Sequence, residues 1–284
     1  MKKIAIVGAG ISGLTLGRLL SKDYNVSIFE TSDRPGGLVK CDRVEGSLFH
    51  TCGGHVFNTK NQKVLDLFWS LFSKSAEFTK ADRNSVIIMP SGQHIPYPVE
   101  DHAYLFEDGI LNSIIDDIIN LKGTSANIEN FKEFLLNRFG NTLYELYFRP
   151  YNEKIWRCDL MNIPINWLEG KLPMPEPKEI LFNNIRRVEE KQFVHSSFWY
   201  ENENGSQFLA NRLSHELNII FNTPVEQIIR IGHQWKIGEN LFDAVIYTGS
   251  IKMLPRILSG VDLKGFSDEI GRWNIMVQLQ CFAR

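Results

Sequence analysis

The sequence predicts an α/β fold: a three-layer domain of helices around a parallel sheet, discontinuous in the chain and interrupted by a mainly helical insertion. Three observations predict it. A β-branched run, "KIAIV" at 3–7, leads directly into a glycine-rich turn and then into helically spaced leucines. A second apolar run, "NVSIFE" at 25–30, follows as the next strand of a strand–helix–strand unit. From about 101 to 190 the chain reads as amphipathic helices, and strand-like runs return near 200.

The first element after "KIAIV" is the turn. Gly8, Gly10 and Gly13 spell G-x-G-x-x-G, with Ser12 inside the motif. Gly8 makes the tight turn, Gly10 lets backbone approach a pyrophosphate, and Gly13 lets the helix pack close to the strand. The helix start adds free N–H groups and a positive dipole end for phosphates. Glu30 closes the second strand, where a carboxylate can accept from ribose hydroxyls. Strand, glycine turn, helix, strand and terminal acid together predict a Rossmann-like, dinucleotide-binding domain.

An acid at that position suits NAD and FAD alike. The next segment separates them. Glu30, Arg34, Gly36 and Gly37 spell E-x-x-x-R-x-G-G. Adjacent glycines permit positive φ and close backbone approach to a ligand, and Arg34 can bring positive charge towards a diphosphate. FAD binds extended, so a second contact segment is expected for it and less needed for a nicotinamide cofactor. The alternative is an ordinary surface turn around Pro35.

"GAGISGL" with "ETSDRPGGL" resembles the flavoprotein superfamily of amine oxidases, protoporphyrinogen oxidases and UDP-galactopyranose mutases. Many amine oxidases carry Arg directly after the paired glycines; Leu38 here resembles the oxidase-like and mutase-like branches more. The resemblance implies an FAD/NAD(P)-binding Rossmann-like domain, FAD as cofactor, and a substrate domain inserted within it. Val225, in the "PVEQIIRI" segment, and Thr248 and Gly249, ending the strand-like "FDAVIYTGS", complete the candidate cofactor contacts.

The remaining elements follow in order. Gly46 breaks an extended stretch and predicts a hairpin, "NQKVLDLFWSLFSK" a helix, and "NSVIIM" with "HIPYPV" two strands joined at Ser91–Gly92. "LNSIIDDIINL", "IENFKEFLLNRFG" and "TLYELYFRPYNEKIW" have helical spacing, and Pro164, Pro173, Pro175 and Pro177 then break the chain. "GSQFLANRLSHEL" reads as a helix, "NIIFN" as a strand, "PVEQIIRI" with "QWKI" as a hairpin, and "FDAVIYTGS" as a buried strand. The expected division is a cofactor domain at 1–75 and 196–284 and a helical substrate domain at 76–195.

"GGHVFNT" at 53–59 resembles the G-P-H-I-F-H-T stretch of the mutases, whose histidine lies beside the flavin ring; that residue is His55, with a structural hydrogen-bonding histidine as the alternative. "RPYNEKIW" resembles the mutase stretch K-G-Y-T-x-K-Q-W, which maps Tyr151, Lys154 and Trp156 to base, phosphate and sugar contacts. Core packing for Trp156 and a solvated Lys154 are the alternatives. "GKLPMP" resembles R-L-P-V-R and puts Lys171 where the family holds a diphosphate with arginine; lysine keeps the charge but loses the bidentate fork. Tyr200 is a further candidate cleft aromatic, or else an edge-strand residue.

The chain has 284 residues, 43% hydrophobic and 23% charged, with a net charge of −2. It is long enough for two domains, and no basic field argues for nucleic acid. No apolar run is long enough to span a bilayer. The cysteines form neither a C-x-x-C pair nor metal-ligand spacing with histidine, so no metal site is predicted and free thiols in a reducing cytoplasm are expected. The family resemblance stops at Arg284, short of the family's usual length, so the final flavin-holding segment is expected to be absent. The function expected from the resemblance is that of an FAD-dependent nucleotide-sugar mutase for cell-surface polysaccharide or lipopolysaccharide, in which reduced flavin does the covalent chemistry. The alternatives are an oxidoreductase of the protoporphyrinogen oxidase or amine oxidase type, and a truncated non-catalytic nucleotide-binding module. A nucleotide sugar or other small molecule is the expected partner, and homo-oligomerisation stays open.

Overall fold

The computed structural model describes residues 1–82, 85–121, 128–166, 168, 175–187 and 197–271. They fall into two compact units, Met1–Ala81 with the described chain from Phe198 to Gly271, and Asp82–Ser197.

The first unit opens with β1 (Lys3–Val7), α1 (Ile11–Leu20) and β2 (Asn25–Phe29). A hairpin follows, β3 (Cys41–Val44) and β4 (Ser47–His50), turning through Glu45 and Gly46, both at positive φ. The next helix, α2 (Gln62–Leu71), starts at Asn61, whose side chain accepts from the Lys63 and Val64 N–H groups. One turn, α3 (Lys74–Glu77), leads into β5 (Phe78–Asp82).

The second unit begins with the hairpin β6 (Val86–Ile88) and β7 (His94–Pro96), closed by the Gly92 N–H to Met89 carbonyl bond. Then come α4 (Asp108–Asn120), α5 (Phe131–Leu143), a π-helical turn at Tyr144–Phe148, α6 (Arg149–Trp156) and α7 (Pro177–Arg186). The last starts with Pro177 in its first turn and a reciprocal Glu176–Glu179 capping box. Its core is one apolar cluster that includes Ile95, Ile114, Phe131, Leu135, Leu143 and Ile180.

The chain then returns through β8 (Ser197–Glu201), α8 (Ser206–Ser214), β9 (Ile219–Ile220), β10 (Ile228–Ile231), β11 (Gln234–Ile237), β12 (Asn240–Phe242), β13 (Ala244–Tyr247), α9 (Leu254–Ile257), β14 (Leu258–Ser259) and α10 (Lys264–Gly271). The main sheet has the order β13-β1-β2-β9, all parallel, with Ile6 opposite Ile28 and Ile246. A second sheet has the order β12-β11-β10-β14.

Alternation along β1 explains why this run is apolar throughout. Ile4 and Ile6 join Leu14, Ile28 and Leu213 on one side, while Ala5 and Val7 join Phe29, Phe242 and Ile257 on the other. The expectation of a buried strand at 242–250 is corrected here. As the terminal strand of the described sheet, β13 is only half-buried, although it contributes to both clusters. The first boundary also differs from the sequence reading of 75/76, because β5 pairs with β8 and stays with the cofactor unit.

In the helical unit, Gly140 turns the chain at φ +79°, where a Cβ would lie 2.5 Å from the Asp117 Cβ. The Asp117 carboxylate accepts from the Thr142 N–H at 2.5 Å, capping the helical turns after the glycine. Asp117→Ala is expected to cost the helical unit about 1 kcal/mol, measured as a lower urea midpoint, with little effect on the cofactor unit.

Candidate functional site

The main sheet fixes where a ligand can bind. β1 has β2 on one side and β13 on the other, and such a reversal of strand order opens a crevice at the carboxyl edge. The G-x-G-x-x-G turn lies there, between β1 and α1. A Cβ on Gly13 would meet the Gly8 carbonyl oxygen at 1.9 Å, so only glycine lets the helix approach the turn this closely. The Thr248 hydroxyl, just past β13, donates to the Val7 carbonyl at 2.9 Å or the Gly8 carbonyl at 3.2 Å and secures the turn from the far side. Gly249 follows it. Ser12 is exposed in the first turn of α1.

The second glycine cluster lies directly against the first. The Gly36 N–H donates to the Ala9 carbonyl at 2.8 Å, and Gly10 and Gly36 form an isolated parallel bridge. Gly36 has φ +131° and Gly37 φ +56°, and a Cβ on Gly37 would sit 3.1 Å from the Gly10 Cα. Two bends from separate parts of the sequence thus become one backbone-lined cradle.

Glu30 joins them from below. Its Oε2 accepts from the Ala9 N–H at 2.7 Å, and its Oε1 accepts from the Ser32 N–H at 3.0 Å and the Ser32 hydroxyl at 2.5 Å. Burial pushes its carboxyl pKa up. The Ser32 hydroxyl, the Ala9 and Ser32 N–H groups and the nearby Lys40 ammonium outweigh burial and hold it below its ordinary value. Arg34, read from the sequence as facing a diphosphate, pairs with Asp42. Leu38 is largely exposed, and Val225 packs among Val7, Phe29 and Ile228.

A second set of polar groups stands beside the hairpin. The His50 Nε2 lies 2.7 Å from the Tyr200 hydroxyl, and its Nδ1 lies 3.3 Å from the Ser206 hydroxyl and 3.5 Å from the Cys41 thiol. Burial lowers the His50 pKa, and the neighbouring His55 lowers it further. Burial first, then Cys41 and Glu201, raises the Tyr200 phenol, which keeps its proton. Tyr200 is therefore a hydrogen-bonded residue of β8. His55 lies on the segment that β8 anchors by two Phe57–Trp199 backbone bonds of 3.0 Å each. Its Nε2 is buried and has no hydrogen-bond partner. A buried, unsatisfied imidazole nitrogen has room for a polar atom of a ligand or a water, and the backbone-lined cradle with Glu30 fits a dinucleotide.

In the helical unit, Tyr151 stacks on Tyr147 with ring centroids 5.3 Å apart and is about half exposed. Together with Phe131, Phe148 and the buried Asn152 they line a pocket. Lys154 is exposed, and Trp156 packs against the unit's core, the alternative its sequence context offered. Lys171 lies outside the described residues. His50, Ser206 and Gln207 were not singled out by sequence reasoning; the one local signal was His50, five residues before His55 in the same stretch. Among the described residues no group of three or more potential metal ligands occurs, and no helix is long and apolar enough to cross a membrane.

Residues 6–71 match the NAD(P)-binding Rossmann-like domain family. The chain is 31% identical over 180 residues to a Klebsiella pneumoniae protein named "Probable UDP-galactopyranose mutase", covering 61% of this chain and 45% of the relative. It is 26% identical over 262 residues to the dTDP-fucopyranose mutase of Escherichia coli, covering 88% of this chain and 64% of the relative. The chain thus spans roughly half to two-thirds of the length of these relatives. The crystal structure of a reduced UDP-galactopyranose mutase superposes with a TM-score of 0.83 at 22% identity, covering 95% of this chain and 60% of that one. The resemblance read from the two glycine clusters is borne out, as is the Rossmann-like fold.

Gly13→Ala is expected to lower the thermal midpoint sharply, because neither backbone oxygen nor helix can retreat from the new methyl. The Glu30 contribution depends on pH. Its folded pKa lies below the unfolded one, so the stabilisation is present above the ordinary carboxylate value and is lost as pH falls through the folded one. Urea unfolding at several pH values should show wild type more stable than Glu30→Gln near neutrality, with the gap closing in acid.

Proposed function

We propose that this chain carries the FAD-binding and nucleotide-binding parts of a nucleotide-sugar mutase acting in cell-surface polysaccharide synthesis in the cytoplasm. The observation that carries this reading is the double cradle: Gly10 and Gly36 bridged backbone to backbone, with Glu30 beneath them. A nicotinamide cofactor needs only the first bend. An extended FAD has use for both, and two relatives of the chain bear mutase names.

The chain's own groups bind and orient. Backbone at the G-x-G-x-x-G turn and the start of α1 faces the phosphates. Glu30 retains carboxylate lone pairs for ribose hydroxyls beyond those used by Ala9 and Ser32. His55 offers its unpartnered Nε2 to the polar edge of the ring system. When bound and reduced, FAD would supply nucleophilic chemistry at the sugar's anomeric carbon. Within the helical unit, the exposed face of Tyr151 suits a nucleobase, and Lys154 and Lys171 supply charge for a diphosphate. Lysine in place of the family's arginine at 171 argues for a nucleoside diphosphate sugar other than UDP-galactose.

The test has two stages. Purified protein should take up added FAD and show a flavin absorbance spectrum. After chemical reduction it should interconvert pyranose and furanose forms of a UDP- or dTDP-sugar, followed by chromatography. Bleaching of the oxidised flavin by substrate alone would instead identify an oxidase, and a protein that stays colourless with FAD would refute the proposal.

A further inference from the structure

The second glycine bend is not held by a ladder. Within it a short 3-10 turn spans Gly37–Val39, and the Val39 N–H donates to the Gly36 carbonyl at 3.1 Å. Its position is set from outside, by two contacts on opposite sides. One is the Gly36 N–H to Ala9 bond already described. The other comes from the first turn of α8, far along the chain. The Gln207 Nε2 donates to the Pro35 carbonyl at 3.0 Å, and its Oε1 accepts from the Cys41 N–H at 3.4 Å. The adjacent Ser206 hydroxyl donates to the Val39 carbonyl at 2.8 Å. One helical turn thus grips three backbone groups of the 35–41 segment, including both ends.

The grip is built for that purpose. The second Nε2 hydrogen of Gln207 goes to the Asn211 Oδ1 at 2.9 Å, so the amide is fully engaged and its orientation fixed. Ser206 and Gln207 are buried, and Ala210 is completely so. Gly36 is set in the positive-φ region at +131° that favours glycine, and a Cβ built on it would already be in van der Waals contact with the Gln207 Oε1 at 3.4 Å and the Ala210 Cβ at 3.5 Å, so helix and bend are closely packed. A surface turn needs no buried glutamine behind it. A bend whose amide groups must stand at a fixed distance from a second bend does.

We propose that Gln207 is a positioning residue for the cofactor site: it clamps the two ends of the second glycine bend and so fixes Gly36–Gly37 against Gly10 for phosphate binding. The proposal rests on the reading that these bends face a dinucleotide. Gln207→Leu removes donor and acceptor at similar volume. Amide hydrogen exchange on the ligand-free full chain should then accelerate at Gly36 and Cys41 by about tenfold or more, and FAD affinity, titrated by flavin fluorescence, should weaken by about tenfold. Ile114→Val, in the core of the other unit, should lower thermal stability and change neither. Should Gln207→Leu fail to fold, Gln207→Glu keeps the acceptor for Cys41 and loses the donor for Pro35, so the acceleration is then expected at Gly36 and not at Cys41. Unchanged exchange across 35–41 in the Gln207 variant, or equal acceleration in the Ile114 control, overturns the clamp. Wild type that binds no FAD overturns the cofactor reading, while the exchange data still decide whether Gln207 holds the bend.

Discussion

Both backbone polar groups of Ala9 are committed to residues from other parts of the chain. Its N–H goes to the Glu30 carboxylate at 2.7 Å, and its carbonyl takes the Gly36 N–H at 2.8 Å. Ala9 is completely buried, so water can satisfy neither group. This one residue ties the first glycine turn to the end of β2 and to the second bend. The small residues around it follow from that constraint: a Cβ on Gly37 would crowd the Gly10 Cα at 3.1 Å, and one on Gly13 would drive α1 off its own turn at the Gly8 carbonyl. The acid at position 30 is equally constrained. A carboxylate that accepts from Ala9 and Ser32 is held in one orientation, which suits it to present its remaining lone pairs to a ligand.

Much of this was legible because the motif is local. Strand, turn, helix and acid fall within 3–30, and each has its own pattern: β-branched residues, spaced glycines, leucines at helical intervals, a terminal carboxylate. The hairpins at Gly46 and Gly92 were legible for the same reason, since positive φ demands particular residue types at the turn. What could not be read were contacts made across long separations. Gln207 and Ser206 look like ordinary polar residues at a helix start, and only the fold puts them behind Pro35–Cys41. His50 and Tyr200 meet only because β8 runs beside the early hairpin segment. Arg34 also pairs with Asp42, a partner that the glycine motif by itself does not reveal.

The helical unit shows a different logic. Its core is apolar, and local caps start two of its helices, Asn130 on the Glu133 N–H and Glu176 with Glu179, while Asp117 of α4 caps the turn at Thr142. Periodicity identified the helices, while the break at Gly140 depended on a carboxylate from another helix. Aromatic residues divide between roles by exposure. Phe131 and Tyr144 are buried core, whereas Tyr151 keeps a free face and is available to a planar ligand.

The cofactor unit is assembled from both ends of the sequence. The Thr248 hydroxyl that secures the Gly8 turn lies 241 residues beyond Val7, and β13 and β9 flank β1 and β2 only after the whole helical unit has been synthesised. During translation the emerging β1 and β2 therefore wait with unpaired edges and an unfinished apolar face, while the helical unit, rich in local contacts, can fold ahead of them. Nascent chains stalled before residue 219 are thus the species most exposed to wrong edge pairing and most in need of chaperone shelter.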